Sequence, residues 1–183
     1  SVPNIAQLVG GYQHECALIS GQVQCWGYNN YGQLGDNTVA TRSAPVTVLT
    51  TALTALTNVV QIGAGYSHSC ALRNDGTVWC WGYNGYGQLG DGTSSTRYTA
   101  AVVPNLFDVV ALAVGHYHTC ALRDNGTVWC WGYNYYGQLG DGTGGGVGVP
   151  GSDRYIPTMV PGFSVMVSGF TTLPRDITAG GYH

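Results

Sequence analysis

Charge is scarce in this chain. Only 8% of its 183 residues are charged, against roughly a quarter in an average globular protein. The formal net charge is −3 and only six residues are basic, which argues against nucleic acid as a partner because phosphate backbones are bound by a basic stripe. Solubility must come instead from glycine-rich, hydroxyl and amide surface.

Long apolar runs are also absent. No stretch approaches the roughly 18 apolar residues of a membrane-spanning helix, so we predict no membrane span. No stretch has convincing helical periodicity either, although the length is sufficient for one domain with a real core. Because the chain starts at Ser1 without an initiator methionine, we expect a processed or excised segment.

Recognisable catalytic patterns are missing as well. No Ser/His/Asp set and no pair of neighbouring carboxylates stands out, and the nine acidic residues lie mostly in predicted turns. The C-x-x-C spacing of redox cysteines does not occur. The sequence therefore predicts a protein that is not an enzyme and that needs neither a cofactor nor a metal.

The cysteines present form three pairs, each bracketing a predicted turn. A two-residue turn, Ser20-Gly21, lies in the first pair, and a three-residue loop, Asn74-Asp75-Gly76, lies in the second. Cysteine spacing grows with the loop, so the cysteines stay opposite each other within disulfide reach. We predict the disulfides Cys16–Cys25, Cys70–Cys80 and Cys120–Cys130, and with them an oxidising, extracellular compartment. A zinc site is disfavoured, since its cysteines are typically two to four residues apart.

A long string recurs along the chain. "TVWCWGYNGYGQLGDGT" (77–93) and "TVWCWGYNYYGQLGDGT" (127–143) differ at one of 17 positions, and a looser copy lies at 23–38. The spacing predicts repeat units at 1–57, 58–107 and 108–172, the last with an insert at 142–154, and the start of a fourth at 173–183. Self-similarity near 50 residues with short strands is typical of β-propeller blades. The predicted fold is all-β, with about three blades of four antiparallel strands and a partial fourth.

The full unit, "G-x-x-H-x-C-A-L…G-x-V-x-C-W-G-x-N-x-x-G-Q-L-G-D-G-T", resembles the regulator-of-chromosome-condensation repeat over nearly the whole chain. The resemblance implies a β-propeller, usually of seven blades. The family's founding eukaryotic member exchanges guanine nucleotide on the Ran GTPase, and secreted bacterial relatives include inhibitors of β-lactamases. The paired cysteines point to the secreted, disulfide-containing branch.

Three units and a stub are too few for a closed ring, since propellers need about four to eight blades. We expect the open ends to be covered in one of two ways. The chain is part of a longer protein that supplies the other blades, or copies associate through their open sheet ends into rings or filaments.

Residues that recur in every unit are expected to build the blade, because a catalytic group is needed only once. This applies to the recurring tryptophans, glycines and aspartates, and to His14, His68 and His118, which we expect to be buried and bonded to blade backbone. The recurring tyrosines have two interpretations. They pack between blades, or they form aromatic platforms beside Asn and Gln that bind sugars or a protein. These tyrosines are Tyr28, Tyr31, Tyr83, Tyr86, Tyr133 and Tyr136. The non-repeating stretches 38–57 and 142–154 are further candidates for binding.

The sequence therefore predicts an extracellular, non-enzymatic module for protein–protein interaction or assembly, such as a filament component or an inhibitor-like binder. Its partner is a protein, which includes further copies of the same chain. The alternative is a carbohydrate-binding module in which the tyrosines hold glycans. Guanine-nucleotide exchange ranks third, because that role is intracellular and the disulfides oppose it.

Overall fold

The structure is a computed structural model that describes residues 4–144, 152–162 and 177–181. Its twelve strands form three antiparallel sheets of four strands each, and each sheet has its strands in chain order. The first blade contains β1 Ile5–Gly10, β2 His14–Ile19, β3 Gln22–Gly27 and β4 Arg42–Thr47. The second contains β5 Val59–Ala64, β6 His68–Arg73, β7 Val78–Gly82 and β8 Arg97–Val102. The third contains β9 Val109–Val114, β10 His118–Arg123, β11 Val128–Gly132 and β12 Arg154–Met159. The predicted all-β, blade-like fold is confirmed.

The central hairpins have the predicted register. The two-residue turn at Ser20 and Gly21 has positive φ at both residues, which a tight hairpin of this type requires. In the second blade Gly76 takes the left-handed position, and the amide of Arg73 bonds the carbonyl of Thr77 at 2.9 Å. The paired cysteines face each other with Cα atoms 4.1 Å apart, and all six are joined as Cys16–Cys25, Cys70–Cys80 and Cys120–Cys130.

The core lies between blades, where the faces of neighbouring sheets pack against each other. Alternating side chains of the first blade, such as Leu18 and Val23, pack against Ile62, Ala71 and Trp81 of the second. The same contact is repeated between the second and third blades. Two-residue alternation therefore gives the hairpin of the second blade two apolar faces, one for each neighbouring blade.

Neighbouring blades are also joined at their first strands. The Gln7 side chain donates to the Ile62 carbonyl at 2.9 Å and accepts from the Ile62 amide at 2.8 Å. Gln61 makes the same pair of bonds to Leu112 in the third blade. Each glutamine thus satisfies both backbone groups of a residue in the next blade.

The segment 177–181 lies against the third blade in the way that each blade lies against the one before it. Ile177 and Ala179 pack on the third blade, and the Gly180 carbonyl lies beside Gly115 as the Gly115 carbonyl lies beside Gly65. No strand is assigned within 177–181, and the rest of the predicted fourth repeat, at 173–176 and 182–183, lies outside the described residues. Each sheet falls inside one predicted unit, and the exact unit boundaries remain predictions.

One of the two non-repeating candidates, 38–57, is packed into the fold. In 38–57, Val48 and Leu56 are buried, and Thr50 forms a parallel bridge with Ala100 of the second blade. This segment therefore helps to join two blades. Most of the insert 142–154, at 145–151, lies outside the described residues.

No helix long and apolar enough to cross a membrane occurs among residues 4–144, 152–162 and 177–181.

Candidate binding surface at one end of the blades

Two loops of every blade emerge at the same end of the sheet, because antiparallel strands alternate in direction. One joins the first strand to the second and the other joins the third to the fourth. Both loops are rich in tyrosine. We call the resulting surface the tyrosine face, and it consists of Tyr12, Tyr28, Tyr31, Tyr66, Tyr83, Tyr86, Tyr117, Tyr133, Tyr135 and Tyr136.

A buried polar cluster holds the second of these loops in shape. In the second blade the Asn84 amide donates to Asp91 at 3.1 Å and to the Thr93 carbonyl at 2.9 Å, and its oxygen accepts from the Leu89 amide at 3.0 Å. Arg97 forms an ion pair with the same aspartate. Burial alone would raise the pKa of Asp91, but the hydrogen bonds from Thr93 and Arg97 outweigh it and hold the pKa below its usual range. The recurring "N-x-x-G-Q-L-G-D" is thus explained as loop structure.

The same cluster recurs in the other two blades. Asp36 pairs with Arg42, and Asp141 pairs with Arg154 at the far end of the insert. The Asn residues of all three clusters have no solvent-exposed surface, and Gln33 and Gln88 are at most 1% exposed. The amides that the sequence placed beside the tyrosines as possible sugar ligands are therefore inside the loops, which is a correction to that hypothesis.

The tyrosine rings touch from blade to blade. Tyr12 stacks on Tyr66 with centroids 4.2 Å apart, Tyr31 meets Tyr83 at 5.2 Å, and Tyr86 meets Tyr133 at 4.8 Å. Contacts at these distances are favourable for aromatic pairs. The rings therefore form one continuous surface across three blades.

This surface is open to solvent. Tyr31 is 42% exposed and Tyr12 is 61% exposed, and the other rings are half-buried or exposed. The structure thus combines the two interpretations of the tyrosines, since the rings pack across blade boundaries and also remain accessible. All six tyrosines that the sequence singled out lie on this face.

Sequence reasoning missed Tyr12, Tyr66, Tyr117 and Tyr135. A signal for the first two was available, since they follow Gly11 and Gly65 at the same position of "GYQH" and "GYSH". They were overlooked because they are distant in sequence from the "W-G-Y-N" string, and only the sheet brings both loops together.

A cleft opens in the middle of the tyrosine face. It has a volume of about 180 Å³ and is lined by Tyr31, Tyr66, Ser67, Tyr83, Tyr86 and Tyr117. None of these side chains is charged at neutral pH. Burial, and then the neighbouring Tyr86 and Tyr31, raises the pKa of Tyr83 above its usual 10.0, so its hydroxyl stays protonated.

Five of the tyrosine hydroxyls on the face are available for a ligand. Those of Tyr28, Tyr31, Tyr83, Tyr86 and Tyr133 make no hydrogen bond to any described residue. Each can both donate and accept. The face therefore offers apolar rings together with these five hydroxyl groups.

The recurring histidines are not part of the tyrosine face and lie between blades. His14 and His68 are buried, as expected, but the predicted backbone partner is wrong. The His14 Nε2 lies 2.8 Å from the Ser69 hydroxyl of the next blade, which itself donates to the Gln33 carbonyl. Burial lowers the pKa of His14 to about 4 and that of His68 to about 3. No cluster of three or more His, Cys, Asp or Glu side chains suited to a metal occurs in the described part of the chain.

Comparison with known proteins agrees with this architecture. The family model for the regulator of chromosome condensation (RCC1) repeat matches residues 20–72, 75–122 and 125–183. Human "Probable E3 ubiquitin-protein ligase HERC4" is 39% identical over 103 residues, which cover 56% of this chain and 9% of that protein. Human WBSCR16 superposes with a TM-score of 0.74 at 26% identity, over 88% of this chain and 39% of that one.

Yeast RCC1 (Prp20), solved bound to Kap60, superposes with a TM-score of 0.69 at 24% identity, over 99% of this chain and 41% of the yeast chain. This likeness is one of fold. The matched region spans less than half the length of each of these three relatives.

Proposed function

Since the chain belongs to the family of RCC1-repeat proteins, we propose that it is an extracellular, non-enzymatic module that binds another protein through the tyrosine face. The repeat fold supports a role in protein interaction. The observation that carries the proposal is the continuous tyrosine surface across three blades. Tyrosine is enriched in protein interfaces and among the residues that dominate binding energy.

The extracellular location is supported by the disulfides. All six cysteines are bonded, and each bond lies in a hairpin within one blade. Structural disulfides form and persist in oxidising compartments and are rare in the cytosol. The same argument disfavours a role as an intracellular nucleotide-exchange factor.

A non-enzymatic role is supported by how the polar groups are used. The three aspartates of the loops form ion pairs with arginine beneath the surface. The buried histidines bond to hydroxyls of neighbouring blades. These aspartates and the buried His14 and His68 thus hold the scaffold together, and the cleft of the tyrosine face is lined by tyrosine rings and hydroxyls.

Site-specific photo-crosslinking tests the proposal. The crosslinker p-benzoylphenylalanine would replace Tyr31 on the tyrosine face or, as a control, Phe107. Phe107 is 56% exposed and lies in the loop after β8, at the opposite end of the blades. Each protein is irradiated with the secreted and surface proteins of its source cells, and adducts are identified by mass spectrometry.

We expect a discrete protein adduct from the Tyr31 position and none from the Phe107 position. Equal labelling from both positions, or no protein adduct from Tyr31, would contradict the proposal. Location is tested separately by immunoblotting culture medium and cell lysate, and recovery of the protein only from the reducing cytosol would overturn the extracellular assignment.

A further inference from the structure

We propose that the tyrosine face recognises an uncharged, proline-rich segment of its partner in the polyproline II conformation. This inference rests on the proposed function and names the class of partner for the same surface. Polyproline II segments dock in aromatic-lined grooves, and their preformed backbone lowers the entropy lost on binding. The shape, the charge and the hydrogen-bonding groups of the face each suit this kind of partner.

The shape suits a series of small rings. Tyr31 meets Tyr83 at an interplanar angle of 66°, and Tyr86 meets Tyr117 at 73°. Rings set edge to face leave clefts between them instead of one flat platform. The central cleft, at about 180 Å³, is smaller than the roughly 300–1,000 Å³ of pockets that enclose a whole small ligand. It is therefore suited to a single ring-sized group, such as the pyrrolidine of proline.

The length of the face suits a short peptide. Consecutive centroids along the path Tyr31, Tyr83, Tyr86 and Tyr133 are 5.2, 6.0 and 4.8 Å apart. A path of at most about 16 Å corresponds to about five residues of polyproline II at ~3.1 Å per residue. A segment of five or six residues would thus contact all three blades.

The hydrogen-bonding groups also match. A polyproline II segment has no internal hydrogen bonds, so its carbonyl groups are free to accept, and proline has no amide hydrogen that needs an acceptor. The Tyr31, Tyr83 and Tyr86 hydroxyls have no partner among the described residues. At neutral pH each of these phenol groups is protonated and able to donate.

A sugar is a poorer match for the cleft because its lining residues include no side-chain amide or carboxylate that could bond sugar hydroxyls. The Asn84 amide is committed to Asp91, Thr93 and Leu89, and the equivalent Asn29 and Asn134 are equally buried. A phosphorylated or acidic motif would need arginine, and the residues lining the cleft carry no charge.

The test uses the full chain and fluorescently labelled decaproline, followed by fluorescence anisotropy. A Gly-Ser peptide of equal length is the control for an uncharged but flexible ligand, and chitohexaose and cellohexaose are the glycan controls, used as competitors and in direct calorimetry. The variants are the triple change Tyr31→Phe, Tyr83→Phe and Tyr86→Phe, and Phe107→Ala at the other end. Circular dichroism and non-reducing peptide mapping verify that each variant is folded.

We expect saturable binding of decaproline, no binding of the Gly-Ser peptide, a tenfold or greater loss of affinity in the triple variant and an unchanged affinity in Phe107→Ala. Absence of saturable decaproline binding, or binding that the triple variant retains, would overturn the inference. Tyrosine-dependent binding of either oligosaccharide without decaproline binding would replace it by the carbohydrate-binding alternative. If the Tyr31 crosslinker still captures a specific protein while decaproline does not bind, the proposed function stands and this inference fails.

Discussion

A methyl group added at Gly65 has no room in this fold, because two blades close on that position. A Cβ there would lie 2.4 Å from Cε1 of His68 and 2.5 Å from the Gly115 carbonyl oxygen of the third blade. Carbon atoms in favourable contact are about 3.5–4.0 Å apart. The contacts recur at Gly11, with His14 and the Gly65 carbonyl, which explains why a glycine precedes each histidine by three residues.

The loss of folding free energy in Gly65→Ala depends on which neighbouring atoms must move to make room for the methyl group. Overpacking of this kind costs about 1–3 kcal/mol. If the His68 ring turns away, its 3.1 Å bond to the Thr119 hydroxyl is also lost, and a buried group without its partner costs about 1–3 kcal/mol more. We therefore expect a destabilisation of about 2–6 kcal/mol, a large share of a typical domain's stability.

Urea unfolding followed by tryptophan fluorescence, with disulfides intact, measures this effect. The matched control is Gly10→Ala in β1, where the nearest atom is the Glu15 carboxylate at 3.6 Å and the expected change is below about 1 kcal/mol. The reasoning about blade contacts is refuted if Gly65→Ala is as stable as Gly10→Ala.

Three further predictions concern the contacts between and within blades. Trp81→Phe removes the 2.8 Å bond from the indole to the Gln33 carbonyl and should lower the free energy of unfolding by about 1–3 kcal/mol. Trp79→Phe loses only a bond to Thr77 of its own hairpin and should lower it less. Equal losses in urea unfolding would contradict the proposed inter-blade role. Because burial lowers the pKa of His14 to about 4 from about 6.5 in the unfolded chain, the unfolded state binds the extra proton, so the stability that His14 contributes is complete above pH 6.5 and falls by about 3 kcal/mol towards pH 4. His14→Gln should make the pH dependence of unfolding shallower by this amount, while the buried His68 keeps its own contribution, and an equal slope in both proteins would count against it. Non-reducing peptide mapping should recover the pairs 16–25, 70–80 and 120–130, and loss of any one pair should cost about 2–3 kcal/mol; a link between blades would be the contrary result.

The hairpins could be predicted from the sequence because loop length and cysteine spacing change together. The two-residue turn Ser20-Gly21 goes with the shorter spacing and the three-residue loop ending at Gly76 with the longer, so only one register keeps the cysteines opposite. The structure has that register in all three blades. Local turn chemistry was sufficient here, since each hairpin is a contiguous segment.

Partners in the neighbouring blade could not be predicted from one unit. The His14 ring was expected to bond to backbone, yet its partner is the Ser69 hydroxyl, 55 residues away. One of the two interpretations of the tyrosines had Asn and Gln side chains beside a ligand, but the Asn84 side-chain oxygen accepts from the Leu89 amide inside its own loop. The repeat pattern identifies which residues matter to the blade, while their contacts depend on how the blades are placed against each other.

The central claim is that the tyrosine face is a contact surface for another protein, and hydroxyl-radical footprinting tests it most directly. Tyr12 on the face and Phe107 at the opposite end have similar exposed fractions, 61% and 56%, so both should be oxidised in the protein alone. When extracellular proteins from the source cells are added, we predict that oxidation of Tyr12 and Tyr31 decreases while that of Phe107 is unchanged. Protection of Phe107 without protection of the two tyrosines would contradict the account.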